Sequence, residues 1–314
     1  MYRIGIDLGG TNIVAGVVDD SYRIIGSSRC KTLLPRPAKD IIEDMAKVAI
    51  EAAANANISF DDISYVGVGC PGTCNNDNGI VEYSNNLDFV NVPIRDILYD
   101  TIKKPIYIEN DANAAALGET LAGAAKGAQS SVCITLGTGV GGGIIIDGKI
   151  YSGFNFSGGE LGHIVIMLNG EPCTCGRNGC WESYASATAL IRQTKTAMQA
   201  DKNSIMWKIA KTLENVDGRT SFDAMRQGDK SGRQVVNNYI NYLASGLINV
   251  INIFQPEVLC LGGGICKEGD TLIKPLEKLI EKERYSRYSA CQTRLFIAEL
   301  GNDAGIIGAA CIGQ

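Results

Sequence analysis

The 314-residue chain has a single histidine, and its aromatic share is only 7%. It has no long apolar run, and nothing in it approaches the ~20 residues that a membrane helix needs, so no membrane partner is expected. Its opening residues, Met1–Gly10, hold an apolar run too short for a secretory signal and interrupted by Asp7. Positive charge is also short. The 29 Lys+Arg stand against 34 Asp+Glu, a net charge of −5, whereas a nucleic-acid binder normally shows a basic face. The expected location is therefore cytoplasmic, with no nucleic-acid partner. In that compartment eleven cysteines, an odd count, stay reduced.

What is present is ordinary except for glycine. Hydrophobic residues at 45% and charged residues at 20% exclude wholesale disorder. The length suggests two domains at roughly 100–200 residues each. Glycine, however, numbers 37 of 314, well above the usual ~7%. Without a collagen period, that excess suggests backbone loops that approach something closely.

Hydrophobic periodicity sketches the order of elements. Residues 2–7, 13–18 and 22–28 are β-rich and joined by turn-like segments, which reads as an antiparallel meander. Residues 38–57 read as a helix with Ile41, Ile42, Met45, Val48, Ala49 and Ala52 on one face. Strands are expected at 65–69 and 105–109. The first ends in Cys70-Pro71-Gly72, and the second leads into Asn110-Asp111 and an Ala-rich helix to about Ala122. The opening theme then returns, with a strand at 131–136, a Gly137-Thr138-Gly139 turn and a second strand at 140–147. This repeat implies two related halves of one core. Helices follow near 185–200, 204–214, 232–254 and 270–284. Further strands are expected at 257–261 and 293–298, and a short helix after Asn302-Asp303.

Two glycine turns therefore occupy equivalent places. Gly9-Gly10-Thr11-Asn12 and Gly137-Thr138-Gly139 offer bare backbone N–H groups that suit phosphate oxygens. Gly262-Gly263-Gly264 follows a later strand and could form a third wall. Asp7, just before the first turn, could hold a hydrated Mg²⁺. Any one turn taken alone reads as a tight hairpin that needs glycine for its geometry.

The lone histidine falls in a telling place. His163 precedes Cys173, Cys175 and Cys180, and one His with three Cys inside 18 residues fits a closed, structural Cys₃His zinc site. The alternative is three unrelated thiols in a polar loop. Glu160 and Glu182 flank this cluster, and carboxylates anchored in that way could accept hydrogen bonds from a polyol; alone, each also reads as a surface glutamate. Asp111 begins a helix whose dipole favours its ionised form, so it can act as a cap, as a chemical group, or as both.

Together these segments resemble the ROK family of sugar kinases and repressors. The resemblance rests on Asp7–Asn12, Asn110-Asp111, Gly137–Gly143, Glu160-Leu161-Gly162-His163 and Cys175-Gly176-Arg177-Asn178-Gly179-Cys180-Trp181-Glu182, and it spans nearly the whole chain. It implies an α/β fold of the two-lobed actin/hexokinase-like (ribonuclease H-like) type with a deep interlobe cleft. One lobe would be 1–117 plus 301–314, and the other 118–300 with the zinc loop. The implied activity is an ATP-dependent hexose kinase of the glucokinase type, active in glycolysis. Asp111 would be the general base directed at the 6-hydroxyl of glucose. Asn86, Asn110, Glu160, His163 and Glu182 would contact the sugar, with Gly72 a weaker match. ATP would lie on Asp7, Gly9, Gly10, Thr11, Asn12, Gly137, Thr138, Gly139, Gly262, Gly263 and Gly264. Mg²⁺ and structural Zn²⁺ are the implied metals, and a homodimer the implied assembly. Alternatives are a ROK kinase for N-acetylmannosamine, N-acetylglucosamine, fructose or allose, or a sugar-responsive regulator. A regulator would carry a helix-turn-helix ahead of the kinase-like part, and here Asp7, just before the phosphate turn, already belongs to that part.

Overall fold

The computed structural model describes residues 1–314, and strand β1 (Tyr2–Leu8) sets its first layers. Ile4, Ile6 and Leu8 on β1 are fully buried and join the apolar face of helix α1 (Ala38–Asn55) in one core. All six α1 residues expected on that face are buried; each large aliphatic side chain removed from water is worth about 1.5–3 kcal/mol. The intervening residues Gly5 and Asp7 point the other way, as the two-residue repeat of a strand requires.

That second face receives the terminal helix α10 (Asp303–Ala309) at very short range. A β-carbon on Gly5 would lie 1.9 Å from the carbonyl oxygen of Ile306, and one on Gly67 would lie 1.8 Å from that of Ala309. Helix α3 (Asp111–Ala122) meets α10 in the same manner, since a β-carbon on Gly308 would lie 1.6 Å from the carbonyl oxygen of Ala114. Part of the glycine excess thus serves close packing of the chain on itself, not ligand loops as the composition suggested. Gly67→Val would press a branched side chain into backbone that cannot rotate aside. We expect a loss of at least about 3 kcal/mol, the upper end for overpacking, read as a shifted urea midpoint. An unchanged midpoint would contradict this packing.

The chain divides into two units, Met1–Cys133 with Gly142–Gly159 and Ala298–Gln314, and Ile134–Gly141 with Glu160–Ile297. In the first unit, β2 (Asn12–Val18) and β3 (Ile24–Lys31) pair antiparallel outward from β1, while β4 (Ile63–Cys70) and β8 (Ile106–Asn110) continue in parallel on its other side. The sheet order is β3-β2-β1-β4-β8. A second five-stranded sheet has the order β11-β10-β9-β12-β13, built from β9 (Ser131–Leu136), β10 (Val140–Ile146), β11 (Lys149–Ile150), β12 (Val258–Gly262) and β13 (Arg294–Ile297). Both sheets run third-second-first-fourth-fifth in chain order, which is the repetition expected from the two glycine turns.

Two stretches depart from the expected pattern. Residues 73–104, unassigned from periodicity, form a small antiparallel sheet of β5 (Thr73–Asn75), β6 (Ile80–Ser84) and β7 (Phe89–Val92), followed by α2 (Ile94–Ile102). These strands are too short for an alternation to register. The helix expected at 204–214 is only α6 (Met206–Ala210), ended by Lys211 at φ 66°, and α7 (Thr220–Arg226) follows it. The second unit also contains α4 (Glu182–Ala185), α5 (Ala187–Ala200), α8 (Lys230–Phe254) and α9 (Asp270–Glu283). No helix is long and apolar enough to cross a membrane.

Candidate active site

Parallel register aligns Asp7 with Gly69, Gly69 with Glu109, and Cys70 with Asn110. The carboxyl ends of β1, β4 and β8 therefore lie side by side, where open α/β sheets commonly bind ligands. Asn110 is the N-cap of α3. Its Oδ1 accepts from the backbone N–H groups of Ala112 (2.9 Å) and Asn113 (3.2 Å), and its Nδ2 donates to the carbonyl of Gly72 at 3.1 Å. One amide hydrogen of Asn110 then remains for a ligand.

Asp111 opens the helix. Its Oδ1 accepts from the N–H of Ala112 at 2.9 Å, leaving Oδ2 for other work. Burial raises its pKa above the usual carboxylate range, and the backbone N–H groups at the helix start pull it back only in part. The helix-dipole expectation captured the weaker of these effects. Asp7 is also raised, to about 6, first by burial and then by the charge of Asp111. Gly305 at the start of α10 leaves room for it, since a β-carbon there would lie 3.2 Å from Asp7 Cγ. Two neighbouring half-buried carboxylates of this kind suit a divalent cation.

The three glycine segments differ in what holds them. In the first turn, the N–H of Gly9 donates to the carbonyl of Asn12 (2.9 Å), Thr32 Oγ1 donates to the carbonyl of Gly9 (2.6 Å), and Gly10 and Thr11 are exposed. Asn86 lies nearby and exposed, its carbonyl oxygen 3.7 Å from where a β-carbon on Gly10 would stand. In the second turn, Glu182 Oε2 accepts from the N–H of Val140 at 3.0 Å, and a β-carbon on Gly139 would lie 2.3 Å from that oxygen. Gly263 follows at φ 111°, where a β-carbon would strike the carbonyl of Leu136 at 2.1 Å. Thr138, Cys173, Glu182 and Arg192 line a cavity of about 150 Å³ there.

The Cys/His cluster assembles in the second unit. The ligand atoms of His163, Cys173, Cys175 and Cys180 all lie within 4.8 Å of one another. Cys173 Sγ is 3.5 Å from His163 Nδ1, and Cys175 Sγ is 3.6 Å from Cys180 Sγ. That separation is far beyond a disulfide bond of about 2.05 Å. It suits the edges of a tetrahedron with bonds of about 2.0–2.3 Å to nitrogen and sulfur, so the donor set fits zinc. Without a cation the cluster is electrostatically awkward, because burial and the adjacent thiols push Cys180 up to about 12. His163 turns Nε2 toward Glu160, whose Oε2 is 4.0 Å away.

Local sequence explains why the loop folds so tightly. Gly176 and Gly179 adopt φ of 87° and 81°, conformations that L side chains rarely take. Trp181, fully buried, donates from Nε1 to the carbonyl of Tyr242, and its ring fits over Gly246 of α8. The loop is thus anchored one residue past its last cysteine.

The first unit therefore gathers Asp7, Gly72, Asn110 and Asp111, with Asn86 near the first turn. The second gathers Glu160, His163, the three cysteines, Glu182 and the later glycine segments. Glu109 was missed from sequence. It is 2% exposed and directly precedes Asn110; a charged residue ending the apolar run Ile106-Tyr107-Ile108 was the available signal.

Two sheets of identical order, with a cap-borne aspartate at the carboxyl edge of the first and glycine hairpins in both, define a two-lobed actin/hexokinase-like α/β fold. The chain belongs to the ROK family, whose pattern matches residues 3–314. It is 38% identical over 312 residues to the glucokinase of Thermotoga maritima, covering 98% of this chain and 96% of that one. Among solved structures, it is similar to a ROK family glucokinase from Streptomyces griseus in complex with glucose and AMPPNP, with 32% identity, a TM-score of 0.81 and 99% of each chain covered. The ROK hexokinase from Thermus thermophilus gives 33% identity and a TM-score of 0.84 over 99% of this chain and 97% of that one.

Proposed function

We propose that the protein is an ATP-dependent glucose kinase that transfers the γ-phosphoryl group to the 6-hydroxyl, with Asp111 as general base. The observation that carries this reading is the setting of Asp111 in a chain similar along its length to glucokinases. Asp111 is held at the start of α3, one oxygen is engaged by Ala112, and burial makes it more basic than an ordinary aspartate.

Phosphoryl transfer asks the protein mainly for alignment and charge neutralisation. Asp111 orients the hydroxyl through Oδ2 and takes its proton as the new P–O bond forms. Asn86 and Asn110 in the first unit, and Glu160, His163 and Glu182 in the second, accept or donate to the remaining hydroxyls. The ATP phosphates rest against the turns Gly9–Asn12, Gly137–Gly139 and Gly262–Gly264, where Gly10 and Thr11 are exposed. Asp7 would hold Mg²⁺, which neutralises phosphate charge when bound. His163, Cys173, Cys175 and Cys180 would hold Zn²⁺, which fixes the loop carrying Glu182 when bound. The reading extends to a homodimer in glycolysis with functional lobes of 1–117 with 301–314 and 118–300, which rest on the family resemblance, and to a cytoplasmic location with no nucleic-acid or membrane partner, which rests on charge and the lack of long apolar runs.

A coupled ADP-release assay across glucose, fructose, allose, N-acetylglucosamine and N-acetylmannosamine tests the acceptor. Glucose should exceed every other sugar in kcat/KM by at least about tenfold, a margin a few polar contacts readily supply. A higher value for an N-acetylated sugar would assign the protein to a different kinase of the family.

A further inference from the structure

We propose that Glu109 is a positioning residue that sets the orientation of Asp111, a role that rests on Asp111 being the base. Its carboxylate is 2% exposed and meets four donors. Oε1 accepts from the backbone N–H of Asn110 at 2.8 Å and from Asn113 Nδ2 at 3.0 Å. Oε2 accepts from Asn76 Nδ2 at 3.1 Å and from Ser152 Oγ at 2.9 Å. Those donors come from four places in the first unit: the turn before α3, the first turn of α3, the segment after β5 and the segment after β11.

The arrangement grips Asp111 from both sides. Glu109 holds the peptide N–H of the preceding residue, while the Asn110 side chain holds the N–H groups of Ala112 and Asn113 that follow. Rotation of the turn, which would swing the Asp111 carboxylate, breaks both sets. Glu109 also dictates the Asn113 amide. With Nδ2 turned to the carboxylate, Asn113 Oδ1 is left buried without a donor. Through Ser152, Glu109 also ties this turn to residues 151–159, which lead along the chain to Glu160.

A second buried carboxylate supplies the control. Glu119 is also 2% exposed and accepts from the backbone N–H groups of Ala124, Glu299 and Leu300, with no bond to Asn110 or Asp111. Glu109→Gln should lower kcat about 10–100-fold, in keeping with a misaligned reacting group, with the glucose KM within about threefold. Glu119→Gln should lower the thermal midpoint yet leave kcat within about twofold. In an Asp111→Asn background Glu109→Gln should cause no further loss, because residues acting as one unit are non-additive.

A near-wild-type kcat for folded Glu109→Gln, or a full extra loss on top of Asp111→Asn, overturns the proposal. If Glu109→Gln does not fold, Ser152→Ala removes one donor. It should lower kcat about 3–10-fold with the glucose KM unchanged, as a small displacement would; no change in kcat overturns the proposal. Turnover surviving in Asp111→Asn alone removes the base assignment itself. Loss in that variant without loss in Glu109→Gln removes only the positioning role.

Discussion

Asp111→Asn lowers kcat with glucose by about 10³-fold, within the usual range for general acid–base catalysis, while the glucose Kd stays within a few-fold. Asparagine has the same shape, and its Oδ1 can still accept the N–H of Ala112 that aspartate accepts at 2.9 Å. Only the capacity to take a proton is lost, so the defect belongs in turnover and not in ground-state binding. Steady-state ADP release and calorimetric glucose binding on the same preparation check both halves. The wild type adds a second readout. Burial raises Asp111, and burial with the Asp111 charge raises Asp7 to about 6. Both groups must be ionised to work, so kcat/KM falls on the acid side, where these carboxylates take up protons. Stability runs the other way. A raised carboxylate pKa means that the fold favours the protonated form, so the contribution of Asp7 is present at low pH and is lost as pH rises through about 6.

Cys175→Ser should lower bound zinc from one ion per chain to below about a tenth, and raise the glucose KM at least about tenfold with it. Structural zinc in small peptides is worth about 10–16 kcal/mol, enough to decide whether a short loop is ordered. Cys175 is the exposed thiol of the cluster, and the backbone N–H of Arg177 beside it holds its pKa below the ordinary thiol range. The substitution removes a thiolate donor and little packing. The link to sugar affinity runs through Glu182, which is two residues past Cys180 and holds the N–H of Val140 at 3.0 Å. A loop released from its metal loosens that carboxylate. Zinc-free wild-type protein, or a Cys175→Ser variant with normal glucose affinity, would refute the structural-metal reading.

The parts of the molecule that were legible in sequence share a physical reason. Periodicity exposed α1, whose apolar face repeats over five turns, and the Asn-Asp start of α3, where Asn110 proves to be the cap. Cysteine spacing exposed the Cys/His cluster because convergent sulfurs need flexible glycines between them. The short strands β5–β7 stayed hidden, being only three to five residues long. The packing role of Gly5, Gly67 and Gly308 was not legible, because composition cannot tell a glycine that faces a ligand from one that faces a backbone carbonyl. Glu109 was overlooked because its importance lies in Asn76 and Ser152, residues 33 and 43 positions away that only the fold brings to it. The dual use of Glu182, beside the cysteines and against the second glycine turn, was equally invisible.

The most direct test of the central claim is the chemistry of the product. Phosphorus–proton correlated NMR on the mixture formed from glucose, Mg-ATP and the protein locates the transferred phosphate. A phosphate ester on carbon 6, formed one for one with ADP, is the expected result. Phosphate on the anomeric carbon, or inorganic phosphate alone, would contradict transfer to the hydroxyl that Asp111 is proposed to deprotonate.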